Sequence, residues 1–441
     1  MKSIKVALWS YLALISILWW VSDQTDLSTL VGVFDWRNVL LQYSGMIGIS
    51  VMSLAVILAV RPSFAERQLN GLDKMYRLHK WLGITGLVIS ITHWLIANGP
   101  KWAVTLGWLE RRARPPRPRF PEGSLQQIFA SQRGLAEGIG EWAFYVAVVM
   151  ILLALIKYFP YRRFFQTHRI LALVYLALVF HAVILLRFAY WSTPIGVVIA
   201  ILLCLGSVSA VLCLVRKRIS GRRVGGKVAA LEWQSEMGVL AVDINLDKGW
   251  PGHQAGQFAF ATFHGDEGPH PYTIASSWCD DGRVRFLIKA LGDYTVSLRD
   301  RLAVGDKVIL EGPYGQFTFD GNGSRQIWIS GGIGITPFIA RMQALAVHHD
   351  GRQVDLFHCT SQMTPDVLQR LSEDANKANV SLHLFWGKKL ELKDLMDLLV
   401  DFKGTDVWFC GPAQFGNMLR EQLVALGLPA KHFHQELFEM R

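Results

Sequence analysis

Four histidines are the residues of this sequence best suited to bind a metal. His79 and His93 lie fourteen residues apart in one apolar segment, and His168 and His181 lie thirteen apart in another. Ionisable side chains are costly inside a membrane span and are by default candidate functional groups. At a helical rise of about 1.5 Å per residue, the two members of each segment are separated by roughly 20 Å, which places one near each face of a hydrocarbon core about 30 Å thick.

Pairing across the two segments joins His79 with His168 and His93 with His181. Each pair has two imidazoles and no thiolate, methionine or carboxylate nearby in sequence. Such a donor set fits the iron of a six-coordinate haem better than a catalytic metal. The alternative is that these histidines only form hydrogen bonds between helices.

Small residues lie between the histidines, at Gly83, Gly86, Ala172 and Ala177. They would leave room for a porphyrin, although small residues also serve ordinary helix packing. On an ideal helix a spacing of fourteen returns to within about 40° of the starting face, whereas thirteen misses by about 140°. Either the turn around His168 is irregular, or the two haems approach that helix from different sides.

The segments that must hold these histidines are long enough to cross a membrane. Apolar runs occur near 6–21, 39–60, 78–97, 142–159, 168–188 and 194–215. The first follows a short basic N-terminus, as the apolar core of a signal peptide would. It ends in Trp19 and Trp20 rather than in small residues, which is typical of a membrane helix with an interfacial aromatic belt. We therefore predict a bundle of six transmembrane helices.

Basic residues indicate the orientation of this bundle. They cluster after the second run, between the fourth and fifth, and after the sixth. The positive-inside rule then places the N-terminus and everything after 216 in the cytoplasm, in a multi-pass protein of the inner cell membrane. The loop from Arg111 to Arg119 is also basic and would lie outside, but three segments outweigh this one proline-rich loop.

Composition limits the remaining classes of function. The five cysteines form no CxxC motif and are odd in number, so neither a disulfide framework nor a zinc or iron–sulfur site is indicated. The formal net charge of +10 suits anionic lipid headgroups or an anionic cofactor. Nucleic acid is not expected as a partner, because much of the excess positive charge flanks the membrane spans.

The second half of the chain has the pattern of a soluble α/β protein. Alternating segments broken by Gly, Pro and Asp occur at 239–244, 257–261, 284–288 and 307–310. They predict a small antiparallel β-barrel. Strand-like segments at 326–330, 354–358, 381–385 and 407–410 then alternate with helices starting near 337, 365 and 413. This alternation predicts a parallel, doubly wound nucleotide-binding domain.

Glycines follow the first strand of that sheet, at Gly331, Gly332 and Gly334, with Thr336 and Pro337 after them. Glycine lets a phosphate approach the backbone at a helix N-terminus, and proline suits the first helical turn. A plain structural turn would have the same residues. Cys410, Gly411 and Pro412 end another strand and point toward the same crevice.

Two barrel segments have the side chains that a flavin would need. One holds an aromatic ring and hydroxyls on an extended segment, and the other adds a glycine turn and a hydroxyl. The residues are His270, Pro271, Tyr272, Thr273 and Ser276 in the first segment, and Lys289, Gly292 and Thr295 in the second. From the residues alone, ordinary barrel packing explains them equally well.

Taken in order, these motifs resemble the NADPH oxidase and ferric reductase family over nearly the whole chain. The motifs are the histidine spacings, 270–276, 292–295, 311–315, 331–337 and 410–412. The resemblance implies FAD on the barrel, NADPH or NADH on the parallel sheet, and two b-type haems in the membrane. It also implies electron flow from cytoplasmic nicotinamide through flavin and both haems to an external acceptor, either molecular oxygen or a ferric chelate.

The resemblance also assigns roles to individual residues. His270, Tyr272, Thr273 and Ser276 would contact the flavin and its ribityl chain, and Gly292 and Thr295 the pyrophosphate. Gly332, Gly334, Thr336 and Pro337 would hold the nicotinamide nucleotide. Cys410 would lie near the nicotinamide ring, and Phe438 would cover the flavin and move aside before hydride transfer.

The sequence departs from the family at two positions. Oxidases of this family have a further histidine four residues beyond the outer haem ligand of the third span, where this chain has Ala97. Reduction of a ferric chelate or another acceptor is therefore favoured over superoxide production. NADPH enzymes also place an arginine where this chain has Thr360 and Ser361, which could bind a phosphate but not in bidentate fashion.

The sequence therefore predicts a transmembrane di-haem domain at 1–216, a basic linker at 217–226, a FAD-binding barrel at 227–320 and an α/β NAD(P)H domain at 321–441. The favoured function is a self-contained transmembrane oxidoreductase. An electron-donating membrane subunit for a periplasmic reductase partner is the alternative, with the basic loop at 111–119 as its docking surface. A transporter or sensor regulated by nucleotide is the non-enzymatic alternative, and haem content distinguishes it.

Overall fold

The computed structural model describes residues 2–23, 25–69, 71–110, 120–156, 159–215, 223–265, 267–321, 323–388, 390–396 and 404–436. The chain divides into two compact units, Met1–Ile219 and Ser220–Met440.

The first unit is helical. Its helices are α1 (Lys2–Ser22), α2 (Val33–Ala59), α3 (Ser63–Gln68), α4 (Leu72–Thr105), α5 (Leu125–Leu155), α6 (Tyr161–His168), α7 (Ile170–Leu185) and α8 (Pro194–Val215). Among the described residues, six helical segments are long and apolar enough to cross a membrane: α1, α2, α4, α5, the stretch from Arg163 through α7, and α8. The predicted six-helix bundle is thus confirmed.

The fourth span begins well before its apolar run. Helix α5 starts at Leu125, whereas the run was expected from 142. The reason is a local start signal, because the Ser124 hydroxyl accepts a hydrogen bond from the backbone N–H of Gln127 at 3.2 Å and caps the helix. The apolar run marks only the part of a helix that can lie in lipid, so it sets a minimum length.

The fifth span is interrupted at Arg169, between α6 and α7. The N–H of Ala172 bonds to the carbonyl of Arg169, three residues back, instead of four as in an α-helix. A tighter turn of this kind changes the phase of the helix. The irregular turn near His168, one of the two alternatives raised by the thirteen-residue spacing, is present.

The helices with the histidines pack mainly on other helices of the bundle. Helix α4 lies along α2, and α7 lies along α5 and α8.

The second unit begins with an antiparallel sheet. Its elements are β1 (Arg223–Gln234), β2 (Val239–Leu246), β3 (Phe258–Thr262), β4 (His270–Thr273), β5 (Arg283–Lys289), α9 (Asp293–Arg301) and β6 (Lys307–Tyr314). The strand order is β4-β3-β6-β1-β2-β5. Side chains such as Val242, Phe286 and Leu310 alternate into one core, as the period-two pattern predicted.

A parallel α/β fold follows. Its elements are β7 (Arg325–Gly331), α10 (Thr336–Val347), β8 (Gln353–Thr360), α11 (Pro365–Lys377), β9 (Val380–Trp386), α12 (Lys393–Met396), β10 (Thr405–Cys410), α13 (Ala413–Ala425) and β11 (Phe433–Gln435). The strand order is β11-β10-β7-β8-β9, with all described pairings parallel. Strand β10 is buried along its whole length, because separate cores cover the two faces of the sheet. The predicted barrel-type and doubly wound folds are both confirmed.

Candidate functional site

The four membrane histidines meet as two pairs. The ring centres of His79, on α4, and His168, at the end of α6, are 5.9 Å apart with their planes at 68°. The ring centres of His93, on α4, and His181, on α7, are 6.5 Å apart with their planes at 81°. The structure therefore brings together the partners that the sequence predicted.

These separations match two imidazoles that share one metal ion. A metal–imidazole nitrogen bond is about 2.0 Å and the ring centre lies about 1.1 Å further, so two such rings on opposite sides of an ion are centred about 6.2 Å apart. Both observed distances lie within about 0.4 Å of that value. Direct hydrogen bonding between the rings is not needed to explain the approach.

Hydrogen bonds fix which ring nitrogen is available. Nδ1 of His79 donates to the carbonyl of Ala55 at 2.8 Å, and Nδ1 of His181 donates to the carbonyl of Ala136 at 2.8 Å. A carbonyl can only accept, so the proton is on Nδ1 and the lone pair is on Nε2. Backbone carbonyls orient metal-binding histidines in the same way.

The remaining two histidines differ from each other. The Ser44 hydroxyl donates to the carbonyl of Leu40 at 2.6 Å and lies 2.9 Å from Nδ1 of His93, so it accepts the proton of that nitrogen. Nδ1 of His168 is buried and has no hydrogen-bond partner among the described residues, while its ring stacks on Phe164 at 5.0 Å.

Two glycines that the sequence analysis missed lie against these rings. A Cβ added at Gly140 on α5 would lie 2.6 Å from Cγ of His181, and one at Gly45 on α2 would lie 3.3 Å from Cε1 of His93. At Gly140 the missing side chain lets the imidazole reach the Ala136 carbonyl on the same helix. The sequence signal that could have identified these two glycines is the presence of small residues in the spans that have no histidines.

The small residues proposed to make room for a porphyrin have mixed roles. Gly86 packs against Val51 and Met52 of α2, at 3.8 and 3.7 Å from an added Cβ, and Ala177 packs in a cluster with α5 residues. Ala172 is buried. At Gly83 an added Cβ would meet no atom within 4 Å, so open space lies beside it.

The donor set indicates the kind of metal group. Among the described residues no cluster of three or more His, Cys, Asp or Glu side chains could hold a metal. Two imidazoles alone leave an octahedral ion four ligands short, and a planar tetrapyrrole supplies four. The residues present thus fit a haem held between α4 and the fifth span.

In the second unit, His270 and Tyr272 lie on β4 with Pro271 and Thr273. The His270 ring stacks on Tyr294, with ring centres 4.3 Å apart, and so joins β4 to the start of α9. Burial lowers the pKa of His270 to about 4. At neutral pH this ring is therefore an uncharged stacking surface rather than a cation for phosphate.

Ser276 is held at both of its oxygens. Its hydroxyl accepts from the backbone N–H of Arg285 at 3.1 Å, and its carbonyl accepts from Nε2 of His253 at 2.9 Å. The indole N–H of Trp250 donates to Nδ1 of His253 at 3.4 Å, which leaves the proton on Nε2. Burial lowers the pKa of His253, in keeping with this neutral form. His253 lies outside the motifs and was not predicted.

The second flavin segment is a capped helix start. Lys289 ends β5, and Gly292 precedes α9 with open space beside its Cα. The Thr295 hydroxyl accepts from the N–H groups of Leu291 and Gly292 at 3.0 and 3.1 Å. Thr295 therefore shapes the turn, and the backbone at the helix start is what a pyrophosphate would meet.

The glycines of the nucleotide loop have two different roles. Gly331 and Gly334 pack against the end of β10, where an added Cβ would collide with Pro412 and with the carbonyl of Cys410, and Gly411 faces Gly331 in return. Gly332 has a φ of +55° and open space beside it. Gly332 is thus the position where a phosphate could approach, in the short 3-10 turn Gly332–Ile335 before α10.

Thr336 and Pro337 begin α10, and the Thr336 hydroxyl donates to the carbonyl of Ile333 at 2.6 Å. Cys410, at the end of β10, is buried in the core with Phe338 and Trp408. Burial, and then the charge of Glu436, raises the pKa of its thiol well above the usual value. Cys410 is therefore a neutral thiol. Phe438 lies outside the described residues.

Glu436 is another residue that the sequence analysis did not single out. It lies close enough to Cys410 to affect the thiol, and its Oε1 would be 2.9 Å from a Cβ added at Gly315. It joins the ends of β6, β10 and β11 at one corner of the crevice. The available signal was its position two residues before Phe438, which the family resemblance places over the flavin.

The end of β8 has a polar turn. The Thr360 hydroxyl donates to the carbonyl of Gln362 at 2.8 Å, so it stabilises the turn, whereas Ser361 is exposed. The N–H of Gly387 donates to the Thr360 carbonyl at 2.9 Å and brings the exposed Trp386 and Lys388 beside this turn. Lys388 is a cation that the sequence analysis missed.

Comparison with known proteins identifies two domains. Residues 44–179 match the ferric reductase like transmembrane component, and residues 236–319 match the oxidoreductase FAD-binding domain. Flavohemoprotein A of Dictyostelium discoideum is 32% identical over 150 residues, which are 32% of this chain and 37% of that protein. The flavohemoprotein of Bordetella pertussis is 24% identical over 193 residues, which are 38% of this chain and 48% of that protein.

Part of the chain is similar to solved structures. The ferredoxin reductase in carbazole 1,9a-dioxygenase is 22% identical with a TM-score of 0.42, covering 49% of this chain and 69% of that one. The chain spans less than half the length of the two flavohemoproteins.

Proposed function

We propose that the chain is a membrane-embedded oxidoreductase of the NADPH oxidase and ferric reductase superfamily, since it combines a ferric reductase like transmembrane component with an oxidoreductase FAD-binding domain. It would pass electrons from cytoplasmic NADPH or NADH through FAD and two bis-histidine haems to an acceptor outside the inner membrane. The domain limits of this proposal are those expected from the sequence, near 216, 226 and 320.

The observation that carries the proposal is the geometry of the two histidine pairs. Their ring centres lie 5.9 and 6.5 Å apart, and three of the four rings have Nδ1 engaged by a carbonyl or hydroxyl on α2 or α5. Haems bound there would each accept and give up one electron at a time. The chain's part would be to supply the imidazole ligands; at His79, His93 and His181 the hydrogen bond at Nδ1 leaves the Nε2 lone pair for the iron.

In the second unit, different residues lie on the flavin side and on the nucleotide side. FAD, when bound, would supply the conversion of a two-electron donor to one-electron steps. The His270–Tyr294 stack and the Ser276 hydroxyl lie on the barrel side, and Gly332 and the start of α10 lie on the nucleotide side. Cys410 is a neutral thiol at the end of β10, between these two sides.

A ferric chelate is the acceptor that the external residues favour. His93 and His181 would hold the outer haem, which would supply the single electrons that reduce the acceptor at its edge. At Ala97, where oxidases of this family have a histidine, the backbone carbonyl accepts a hydrogen bond from Arg37 at 2.9 Å. Arg37 thus presents positive charge near His93, suited to an anionic chelate.

The test uses the purified full chain in detergent with added FAD. It should show a b-type haem spectrum that NADPH or NADH reduces, and reoxidation by ferric citrate should be faster than by oxygen. A protein without haem would contradict the proposal. If haem and flavin are reduced but neither acceptor reoxidises them at an appreciable rate, the alternative of a periplasmic reductase partner replaces it.

A further inference from the structure

One side chain of the nucleotide part reaches the flavin segment of the barrel. Helix α10 starts at the glycine loop, and Gln343 lies two turns along it. Its Oε1 accepts a hydrogen bond from the backbone N–H of Ser277 at 3.2 Å. Ser277 directly follows Ser276, the last residue of the flavin motif.

The Asp374 carboxylate on α11 is near the other end of the Gln343 amide. Burial raises the pKa of the Asp374 carboxyl and the Gln343 amide lowers it, so the two side chains lie close together. The amide oxygen of Gln343 accepts from the N–H of Ser277, which leaves the amide nitrogen, which can only donate, for a carboxylate that can only accept. The negative charge of Asp374 therefore favours the one orientation of Gln343 that binds the barrel.

The barrel fixes the preceding residue independently. The Ser276 hydroxyl accepts from the N–H of Arg285, and the Arg285 guanidinium forms a bidentate pair with Asp243 at 2.6 and 2.7 Å. The flavin segment is thus held by β5 at Ser276 and by α10 at Ser277. Displacement of α10 would pull directly on the flavin segment.

Another polar contact joins the same two parts but has a different character. Arg370 of α11 pairs with Glu232 of β1 at 3.0 Å, and both side chains are largely exposed. Exposed pairs of this kind contribute little and do not touch the flavin segment. The contact of Gln343 is partly buried and ends on the backbone beside Ser276.

We propose that Gln343, oriented by Asp374, is a positioning residue that sets the distance between the nucleotide helix and the flavin segment. The inference rests on the proposed function, since it concerns hydride transfer, the movement of two electrons and one proton from nicotinamide to flavin. Such transfer needs the reacting atoms about 3–3.5 Å apart, and a misplacement of about 1 Å costs roughly 100-fold in rate.

The test exchanges the polarity of this contact in the full chain. Gln343→Glu places two carboxylates against each other, and Asp374→Asn added to it restores one donor and one acceptor. Amide hydrogen exchange of the peptide containing Ser277 should become roughly fivefold faster in the single variant, the value of one hydrogen bond. In the double variant it should return to the wild-type rate.

The kinetic readout is the reduction of flavin by NADPH or NADH. In Gln343→Glu the limiting rate should fall about tenfold with KM within about twofold, because positioning changes while nucleotide binding does not. The double variant should recover. Gln369→Glu is the matched control, since Gln369 on α11 bonds to an acid, Glu373, at 3.0 Å but is exposed and away from the barrel.

Unchanged exchange and unchanged rate in Gln343→Glu would overturn the inference, as would a double variant that fails to recover. An equal effect of Gln369→Glu would do the same, because added charge alone would then be the cause. If the wild type takes up no electrons from NADPH or NADH, the proposed function fails and with it the kinetic role, whereas the exchange measurement still decides whether Gln343 holds Ser277.

Discussion

Replacing Gly140 by alanine should remove one haem and leave the other. An added Cβ would lie 2.6 Å from Cγ of His181 and closer to two other ring atoms. Ordinary carbon contacts are about 3.5–4.0 Å, so the ring must retreat by about 1 Å. Metal–ligand distances vary by only about 0.2 Å, so a retreat of that size breaks ligation. It also breaks the hydrogen bond from Nδ1 to the Ala136 carbonyl.

The same helix provides matched controls. At Gly134 and Gly138 an added Cβ would meet no atom within 4 Å. Alanine favours a helix by up to about 1 kcal/mol over glycine at every one of these positions, so helix propensity does not explain a loss at one of them. Gly45→Ala should have a smaller effect, because its Cβ would lie 3.3 Å from His93.

The assay is the haem-to-protein ratio by pyridine haemochrome on the purified full chain. We expect about two haems per chain in the wild type and in Gly138→Ala, and about one in Gly140→Ala. Flavin reduction by NADPH or NADH should continue in all three proteins. Two haems with an unchanged spectrum in Gly140→Ala would refute the role given to His181, and so would an equal loss in Gly138→Ala.

Three further outcomes concern the second unit. Gly332→Ala should raise KM for NADPH and NADH several-fold with unchanged FAD content, because an L-residue at a φ of +55° costs about 1–2 kcal/mol. Gly334→Ala should instead lower the melting temperature, because its added Cβ would collide with the Cys410 carbonyl. Lys388→Ala should raise KM for NADPH roughly fivefold and leave that for NADH unchanged if the exposed Lys388, next to the Gly387 that bonds to the Thr360 carbonyl, binds the 2′-phosphate. Equal changes in the two KM values would exclude this role. Burial lowers the pKa of His358 to about 4, so below pH 6.5 the unfolded chain takes up a proton that the folded chain does not, and stability is lost as pH falls toward 4. His358 should contribute about 2 kcal/mol to that loss between pH 7 and pH 5, so the loss measured by urea unfolding should be about 2 kcal/mol smaller in His358→Asn, where His270 still contributes.

The pairing of the membrane histidines could be predicted from the sequence, but what orients them could not. Residue type and spacing identify imidazoles on two neighbouring spans. Their hydrogen-bond partners at Ala55 and Ala136 are backbone carbonyls, which every residue has, so no side chain signals them. The break at Arg169 was foreseen only as one of two ways to reconcile the thirteen-residue spacing with a helix.

In the soluble half, alternation and glycine placement predicted the barrel-type sheet and the parallel sheet. Strand β1 was missed because Gly225 and Gly226 interrupt its alternation. The glycine motif predicted where the nucleotide loop lies but not how its members differ, since loop packing against β10 and a left-handed φ both select glycine. His253 and Gln343 act on residues more than twenty and sixty positions away, and such contacts depend on the tertiary fold.

The most direct test of the paired imidazoles is the electron paramagnetic resonance spectrum of the oxidised full chain. Two nitrogen ligands make each ferric haem low-spin, and ring planes at 68° and 81° are close to perpendicular, which gives strongly anisotropic signals. We expect two such signals in the wild type and one in both His93→Ala and His181→Ala. A wild-type protein with no haem signal, or with a high-spin signal from a single axial ligand, would contradict the assignment.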